Sequence, residues 1–125
     1  MPRSQLLSAQ LAEAAEVYPG TRASALPDGT HVVEVPLQLP AGWNRSHVTA
    51  RFVVPIAYPA AQLDCFYVDA DLRLANGCMP TNSGMQPING ANLLWFSWHL
   101  AQWDPSRDSL LSFIRFINER FRRGQ

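Results

Sequence analysis

Two segments of this chain alternate between apolar and polar residues with a period of two. Their apolar residues fall on one face of each segment: Val33, Val35, Leu37 and Leu39 in residues 31–39, and Val48, Ala50, Phe52 and Val54 in residues 47–55. This period predicts two half-buried β-strands. The connection between them is short and contains Gly42 and Asn44, which favours antiparallel pairing. The apolar face of an antiparallel sheet must therefore be buried by other segments of the chain.

Two shorter segments extend this pattern. Residues 21–26 stop at the Pro27-Asp28-Gly29 turn signal, and residues 63–69 follow the break at Tyr58-Pro59. We therefore expect an antiparallel meander of four strands. Pro36 lies inside the second strand and lacks an amide donor, so we expect an edge or a bulge at that point.

Helical patterns flank the strands. Residues 4–17 carry Leu6, Leu7 and Leu11 at helical spacing, with Ser4 as the N-cap and Tyr18-Pro19-Gly20 as the stop signal. Residues 107–122 carry a wider apolar stripe that predicts a helix packed on the sheet. The fold class predicted is α+β, with one helix at each end of the sheet segment.

The segment 70–94 breaks these periodicities. It is rich in Gly, Asn, Pro and Met, and we expect it to be a long irregular, functional segment. An aromatic cluster follows, consisting of Trp95, Phe96, Trp98 and Trp103. Such a cluster favours packing of a loop on the core, with a partner surface as the alternative.

Length and composition limit the class of protein. The chain has 125 residues, 47% of them hydrophobic, and we expect a single domain over residues 1–125. Ten acidic and ten basic residues cancel, which argues against nucleic acid as a partner. The C-terminal arginines, Arg120 among them, are interpreted as structural residues that interact with the helix dipole.

Neither a signal peptide nor an apolar run of about 20 residues is evident, so we expect a cytoplasmic protein that does not enter a membrane. The two cysteines, Cys65 and Cys78, form neither a disulfide framework nor a metal-binding pattern. Neither a metal nor another cofactor is predicted for this chain.

The order of these elements and several motifs resemble the ubiquitin-conjugating enzymes. Tyr58-Pro59 before the fourth strand resembles the Tyr-Pro segment of that family, and Trp103-Asp104-Pro105 resembles its Trp-Ser-Pro. The prokaryotic relatives are more similar still, and the motifs that match them are Leu63-Asp64-x-Phe66, Gly77-x-x-Pro80 and Trp95-Phe96-Ser97-x-His99. The resemblance implies two partners: an adenylating enzyme like the ubiquitin-activating enzymes, docked on the N-terminal helix, and a ubiquitin-like protein.

The sequence departs from the family at the catalytic position. The family's cysteine stands about eight residues before the tryptophan of Trp-Ser-Pro, and this window contains no cysteine here. The family has an asparagine that assists the transition state, and Asn89, in Gln86-Pro87-Ile88-Asn89, resembles it weakly. With Trp103 of the Trp-x-Pro motif, Asn89 is assigned to substrate binding.

Ser97 is the candidate acyl acceptor in this window. A serine hydroxyl needs a base, and His99 shares a face with it if the backbone is extended. Asp104 could orient His99 or a substrate lysine, and N-capping is the alternative for it. Ser97 could instead cap a turn, and His99 could be a core histidine.

The cysteines offer a different candidate. Cys65 alternates with Leu63 and Tyr67, which predicts a buried thiol without a role in catalysis. Cys78 lies in the irregular segment and becomes the rival nucleophile if that segment folds over the site.

Two functions follow from the resemblance. The first is a transferase that accepts a ubiquitin-like C-terminus as a serine oxyester and passes it to a target. The alternative is a module without catalytic activity that binds a ubiquitin-like protein or scaffolds the activating enzyme.

Overall fold

The computed structural model describes residues 3–88, 90–96 and 102–123. Its six strands form one antiparallel sheet in the order β1-β2-β3-β4-β6-β5. In chain order the elements are α1 (Arg3–Val17), β1 (Arg22–Ala25), β2 (His31–Gln38), β3 (His47–Val54), β4 (Phe66–Val68), β5 (Ser83–Ile88), β6 (Ala91–Phe96) and α2 (Leu110–Arg122).

The mixed α+β class, the two helices and the antiparallel strands are confirmed, but a sheet of only four strands is not. Two further strands, β5 and β6, form a hairpin that begins in the segment 70–94, which the sequence predicts to be irregular, and extends beyond it to Phe96. The four residues of β1 and half of those in β5 are exposed, and none of the six in β5 is buried, because these strands are the two edges of the sheet. An edge strand without a buried face shows no apolar alternation, and the sequence pattern of β5 therefore resembles a loop.

Pro36 lies where β2 is open on one side. The pairing with β1 ends at Glu34, whereas the pairing with β3 continues through Pro36 opposite Thr49. The missing amide of Pro36 is thus tolerated at a local edge, as expected. Gly20, which follows α1, has a φ of +93°, and a Cβ there would lie 3.0 Å from the Pro36 ring. Glycine is required at this position for both reasons.

The core lies between the buried face of the sheet and the helices. Phe52 of β3 contacts Phe113 of α2 edge to face, at 4.9 Å between ring centroids. Helix α1 packs beside α2 and buries Ala14 fully. Of the two described helices, neither is long and apolar enough to cross a membrane. The buried residues of α2 are Leu110, Leu111, Phe113, Ile114, Ile117, Arg120 and Phe121.

The opposite face of the sheet carries a chain of ion pairs. Glu34 accepts from Arg51 and from Arg22, each at 3.0 Å, and Arg51 continues to Asp69 at 3.3 Å. Asp69 in turn pairs with Arg45 at 3.0 Å. Arg45 also pairs with Asp71 at 2.8 Å, so three arginines and three carboxylates neutralise one another and this face presents no field of a single sign.

Candidate functional site

Trp103 is fixed at the N-terminal end of α2. Its indole Nε1 donates to the backbone carbonyl of Pro59 at 2.8 Å, and its ring lies 5.8 Å from that of Tyr58. Tyr58 is only 2% exposed, and the Tyr58-Pro59 peptide is cis. The Trp-x-Pro motif and the Tyr-Pro motif, although 44 residues apart in the chain, therefore form one structural unit.

Gln10 connects this unit to α1. Its side-chain Oε1 accepts a short hydrogen bond from the Tyr58 hydroxyl and a second from the Leu110 amide at 3.1 Å. Burial raises the pKa of Tyr58 to about 12, and the negative charge of Asp108 adds to the rise. Tyr58 is therefore a neutral donor at physiological pH. One glutamine thus joins three elements at the start of α2.

Asp104 organises a turn that leads into α2. Its Oδ1 accepts from the Ser106 amide at 2.9 Å and from the Ser106 hydroxyl at 2.7 Å. The Asp104 amide donates to Asp108 Oδ2 at 2.8 Å, and Asp108 Oδ1 accepts from the Ser112 hydroxyl. The hydrogen bonds from Ser106, together with Arg107 nearby, lower the pKa of Asp104. Because this turn occupies residues 105–107, α2 begins at Leu110, later than the sequence predicts.

An open polar cleft lies beside this turn. Its volume is about 760 Å³, and Trp103 and Asp104 both line it. One cation, Arg107, lies among two carboxylates here. The lining residues are Gln102, Trp103, Asp104, Arg107, Asp108 and Ser112.

Phe96, the last residue of β6, lies near the other end of α2. Its ring stacks on Phe66 at 4.9 Å and meets Phe121 edge to face at 5.6 Å. The Arg120 guanidinium lies over the same ring, with its Cζ 5.1 Å from the centroid. Phe96 is fully buried. The ring of Phe96, the last residue before Ser97, is therefore fixed by contacts with two aromatic rings and a guanidinium.

Arg120 itself is fully buried. Its Nη2 donates to the Thr81 carbonyl at 3.1 Å, in the turn that precedes β5. Burial, and secondarily the charge of Arg123, lower the pKa of Arg120 to about 10, so the side chain remains a cation at neutral pH. The dipole role predicted for the C-terminal arginines does not describe this one. The sequence signal was present, because Arg120 lies three residues after Ile117 on the apolar stripe of α2.

Of the predicted site residues, Trp103 and Asp104 lie together, whereas Ser97, His99 and Asn89 fall outside the described residues. The described residues on either side of positions 97–101 give the distance between the two ends of α2 at which they lie. Phe96 packs against the last turns of α2, and Trp103 lies before its first turn, so the 13 residues of the helix separate them by roughly 20 Å.

The described neighbours of Asn89 lie at the far end of the β5–β6 hairpin. Ile88 pairs with Ala91 at the turn, whereas Ser83 pairs with Phe96 at the opposite end. Five residue steps along β6 correspond to about 17 Å. The described structure thus does not bring the neighbours of Asn89 close to Phe96.

Cys65 is half-buried, which corrects the prediction of a buried thiol. The strand begins only at Phe66, and Phe66 and Val68 occupy the buried face, so Cys65 lines a surface depression with Tyr67 instead. Partial burial raises the pKa of the Cys65 thiol, and a hydrogen bond with the Trp95 side chain acts in the opposite direction.

Cys78 is exposed and lies near the C-terminal end of α2. Its turn is closed by hydrogen bonds to Leu74 and Asn76. Ala75 of the same turn donates to Gly42, next to Trp43, whose indole donates to the Phe121 carbonyl at 2.9 Å. Cys78 therefore lies toward the Phe96 end of α2, away from the cleft at Trp103. Among the residues described, no three His, Cys, Asp or Glu side chains are grouped as a metal site requires.

The arrangement of an N-terminal helix, an antiparallel sheet and a C-terminal helix is consistent with a fold of the conjugating-enzyme type. The model of prokaryotic E2 family E matches residues 23–123, and the chain belongs to that family. Neither the curated proteins nor the solved structures contain a match to this chain. Membership of an E2 family indicates a role in a conjugation pathway, with an activating enzyme and a ubiquitin-like protein as partners in general.

Proposed function

We propose that this protein is the carrier of a bacterial ubiquitin-like conjugation pathway and that Ser97 holds the modifier as an oxyester. The observation that supports this is the anchoring of the described residues on either side of positions 97–101. Phe96 is buried between two rings and a guanidinium, and Trp103 is hydrogen-bonded to Pro59. Between these anchors the sequence places one hydroxyl, Ser97, and one base, His99, where the family has its cysteine.

The proposed reaction is an acyl transfer. The Ser97 Oγ attacks the activated carbonyl carbon of the modifier's C-terminus while His99 takes the hydroxyl proton, and the activating group leaves as the ester bond forms. A target amine then attacks the ester carbonyl carbon, the amide bond forms as the bond to Ser97 Oγ breaks, and the proton that the amine loses passes through His99 to the Ser97 oxygen. Trp103 and Asn89 are the proposed substrate-binding residues. Asp104 Oδ1 holds the turn, so any orientation of His99 by this carboxylate falls to Oδ2.

The adenylating enzyme is proposed to dock on α1, as the resemblance to conjugating enzymes implies. Helix α1 is suited to this because most of its surface is free. Ala14 is the one buried residue among residues 5–17, and Leu6, Leu7 and Leu11 are only partly buried. An exposed helix face offers a partner surface without disturbing the core.

A charging assay tests the carrier function. The protein would be incubated with ATP, the cognate activating enzyme and the ubiquitin-like protein, in parallel with Ser97→Ala, His99→Gln and Cys78→Ser. We expect an adduct that survives thiol reductant, is cleaved by mild base and is absent in Ser97→Ala. A reductant-sensitive adduct that disappears in Cys78→Ser would instead assign the acceptor to Cys78.

The second candidate function is a binding module without catalytic activity. It is favoured by the turn at Asp104, which accounts for this residue structurally, and by the separation of Phe96 from Trp103 along α2. This function predicts no adduct while the modifier is visibly adenylated. It also predicts saturable binding of the ubiquitin-like protein or the activating enzyme, measured by calorimetry, that Ser97→Ala leaves unchanged.

A further inference from the structure

We propose that Arg120 is a positioning residue that fixes Phe96, the residue that precedes positions 97–101 in the chain. This inference rests on the proposed function, because it assigns Arg120 a part in placing Ser97. It concerns a residue on α2 that is distant in sequence from the Trp-x-Pro and Tyr-Pro motifs.

Arg120 joins three parts of the fold at one point. It belongs to α2, its Nη2 donates to the Thr81 carbonyl at 3.1 Å, and its guanidinium covers the Phe96 ring at the end of β6. The Thr81 turn is itself tied to β5, because the Ser83 hydroxyl donates to the Pro80 carbonyl at 2.6 Å. Helix, hairpin and turn are therefore fixed relative to one another through one side chain.

The guanidinium of Arg120 indicates that the position of its neighbours, and not only the filling of space, matters here. Every other buried residue of α2 is apolar, and an aliphatic side chain would fill this space without the desolvation penalty of a buried cation. A guanidinium adds direction, because its hydrogen bond must be aligned and its plane must lie over the ring. An apolar side chain would allow Phe96 to shift among several packed positions.

Phe96 transmits this constraint to the candidate acceptor. It is the residue bonded to Ser97, and its ring is enclosed by Phe66, Phe121 and the Arg120 guanidinium. Acyl transfer depends on the position of the nucleophile relative to the carbonyl carbon, and a misplacement of about 1 Å can lower the rate by about 100-fold. A shift of the end of β6 would therefore lower the rate of charging without removing any group that reacts.

The test compares Arg120→Met, Arg120→Lys and a control core variant, Val33→Ala, which lies in β2 and is 1% exposed in the parent. Each variant would be characterised by its melting temperature and by the rate of ester formation at saturating activating enzyme. We expect Arg120→Met to lower this saturating rate by about 10- to 100-fold with KM for the activating enzyme little changed. Arg120→Lys should recover part of the rate, and Val33→Ala should retain the parent rate despite its own loss of stability.

An NMR readout separates positioning from general destabilisation. Backbone amide shifts of residues 97–101 should change in Arg120→Met and remain as in the parent in Val33→Ala. If Arg120→Met does not fold, Phe96→Leu removes the ring under the guanidinium and should produce the same pattern. Equal losses of rate at equal losses of melting temperature, or unchanged amide shifts at 97–101, would overturn the inference.

The same experiment distinguishes this inference from the proposed function. If the parent protein forms no ester, the carrier function fails, and the amide shifts alone decide whether Arg120 positions the segment. If the parent forms the ester but the Arg120 variants charge at the parent rate, the carrier function stands and the positioning role fails.

Discussion

The indole of Trp103 donates a hydrogen bond to the backbone carbonyl of Pro59, 44 residues earlier in the chain, at 2.8 Å. This contact joins the residues before α2 to the turn after β3. It explains why a Trp-x-Pro motif and a Tyr-Pro motif occur in the same chain, since each supplies half of one contact. The ring of Trp103 also packs against Tyr58, so its hydrogen bond and its packing can be separated by mutation.

Replacing Trp103 with Phe keeps an aromatic ring beside Tyr58 and removes the indole donor. We expect the free energy of unfolding to fall by about 1 kcal/mol, the typical net contribution of one hydrogen bond, with some further loss from the smaller ring. Urea unfolding followed by circular dichroism measures this. Gln102→Ala, at an exposed neighbour, is the control and should be neutral. A parent-like Trp103→Phe would show that the hydrogen bond contributes nothing to stability.

Two substitutions of Asp104 separate its turn from its charge. Asn retains an Oδ1 that can accept from Ser106, whereas Ala removes it, so we expect Asp104→Ala to lose about 1 kcal/mol and Asp104→Asn to lose less. If the carboxylate takes part in acyl transfer, Asp104→Asn will lower the charging rate while its melting temperature stays near that of the parent. If Asp104→Asn charges at the rate of the parent, the role of Asp104 is limited to stabilising the turn.

The charge of Asp104 also predicts a pH dependence. Its folded pKa is lowered from the usual 3.8, so its contribution to stability is present above that value and is lost as the pH falls through the folded pKa. Asp28 carries a similar shift from its hydrogen bonds with Thr30. The difference in melting temperature between parent and Asp104→Asn, followed from about pH 7 to about pH 2, isolates the Asp104 part. A difference that does not vary with pH would contradict the lowered pKa.

The strands that build the core could be predicted from the sequence because their burial follows the alternation of residue type. Val33, Val35 and Leu37 are buried in β2, and Val48 and Phe52 are buried in β3, as the period of two requires. The β5–β6 hairpin could not be predicted in the same way. Gly84, Pro87 and Gly90 are typical of loops, and β5 is held as an edge strand by its pairing with β6 rather than by its own side chains.

In the candidate site, too, some features could be predicted from the sequence and others could not. The motifs around Tyr58 and Trp103 could be found locally, but their contact depends on a separation of 44 residues that no local pattern contains. Gln10 was not identified, because a glutamine on a helix gives no sign that it will accept from both Tyr58 and Leu110. The acceptor assignment of Ser97 comes from its position in the family window and remains a prediction.

The side chain of Gln10 should be among the most sensitive polar positions of the protein. Gln10→Leu leaves both the Tyr58 hydroxyl and the Leu110 amide without their acceptor, and we expect a loss of about 2–3 kcal/mol. Gln5→Ala, at an exposed position of the same helix, is the matched control and should be nearly neutral. Urea unfolding of both variants measures the difference. Equal effects would show that the Gln10 contacts do not stabilise the fold.

Tyr58 predicts a loss of stability at alkaline pH. Its folded pKa, about 12, lies above the usual 10, so the neutral form is favoured in the folded state. The stability that this provides is fully present below about pH 10 and declines as the pH rises toward the folded value. Tyr58→Phe should lack this part of the decline, as measured by unfolding at about pH 9 and about pH 11. An identical alkaline decline in parent and variant would contradict the raised pKa of Tyr58.

The two cysteines should react with a thiol reagent at different rates. Cys78 is exposed, whereas Cys65 is half-buried and its thiol pKa is raised by burial, which reduces its thiolate fraction near neutrality. Because the thiolate is the reacting species, we expect one fast equivalent from Cys78 and one slower by about tenfold from Cys65. Cys78→Ser should abolish the fast phase, Cys65→Ser the slow phase, and in urea both thiols should react alike. A fast phase that survives in Cys78→Ser would mean that Cys65 is more accessible than its contacts with Tyr67 and Trp95 allow, and it would make Cys65 a candidate acceptor in any reductant-sensitive adduct.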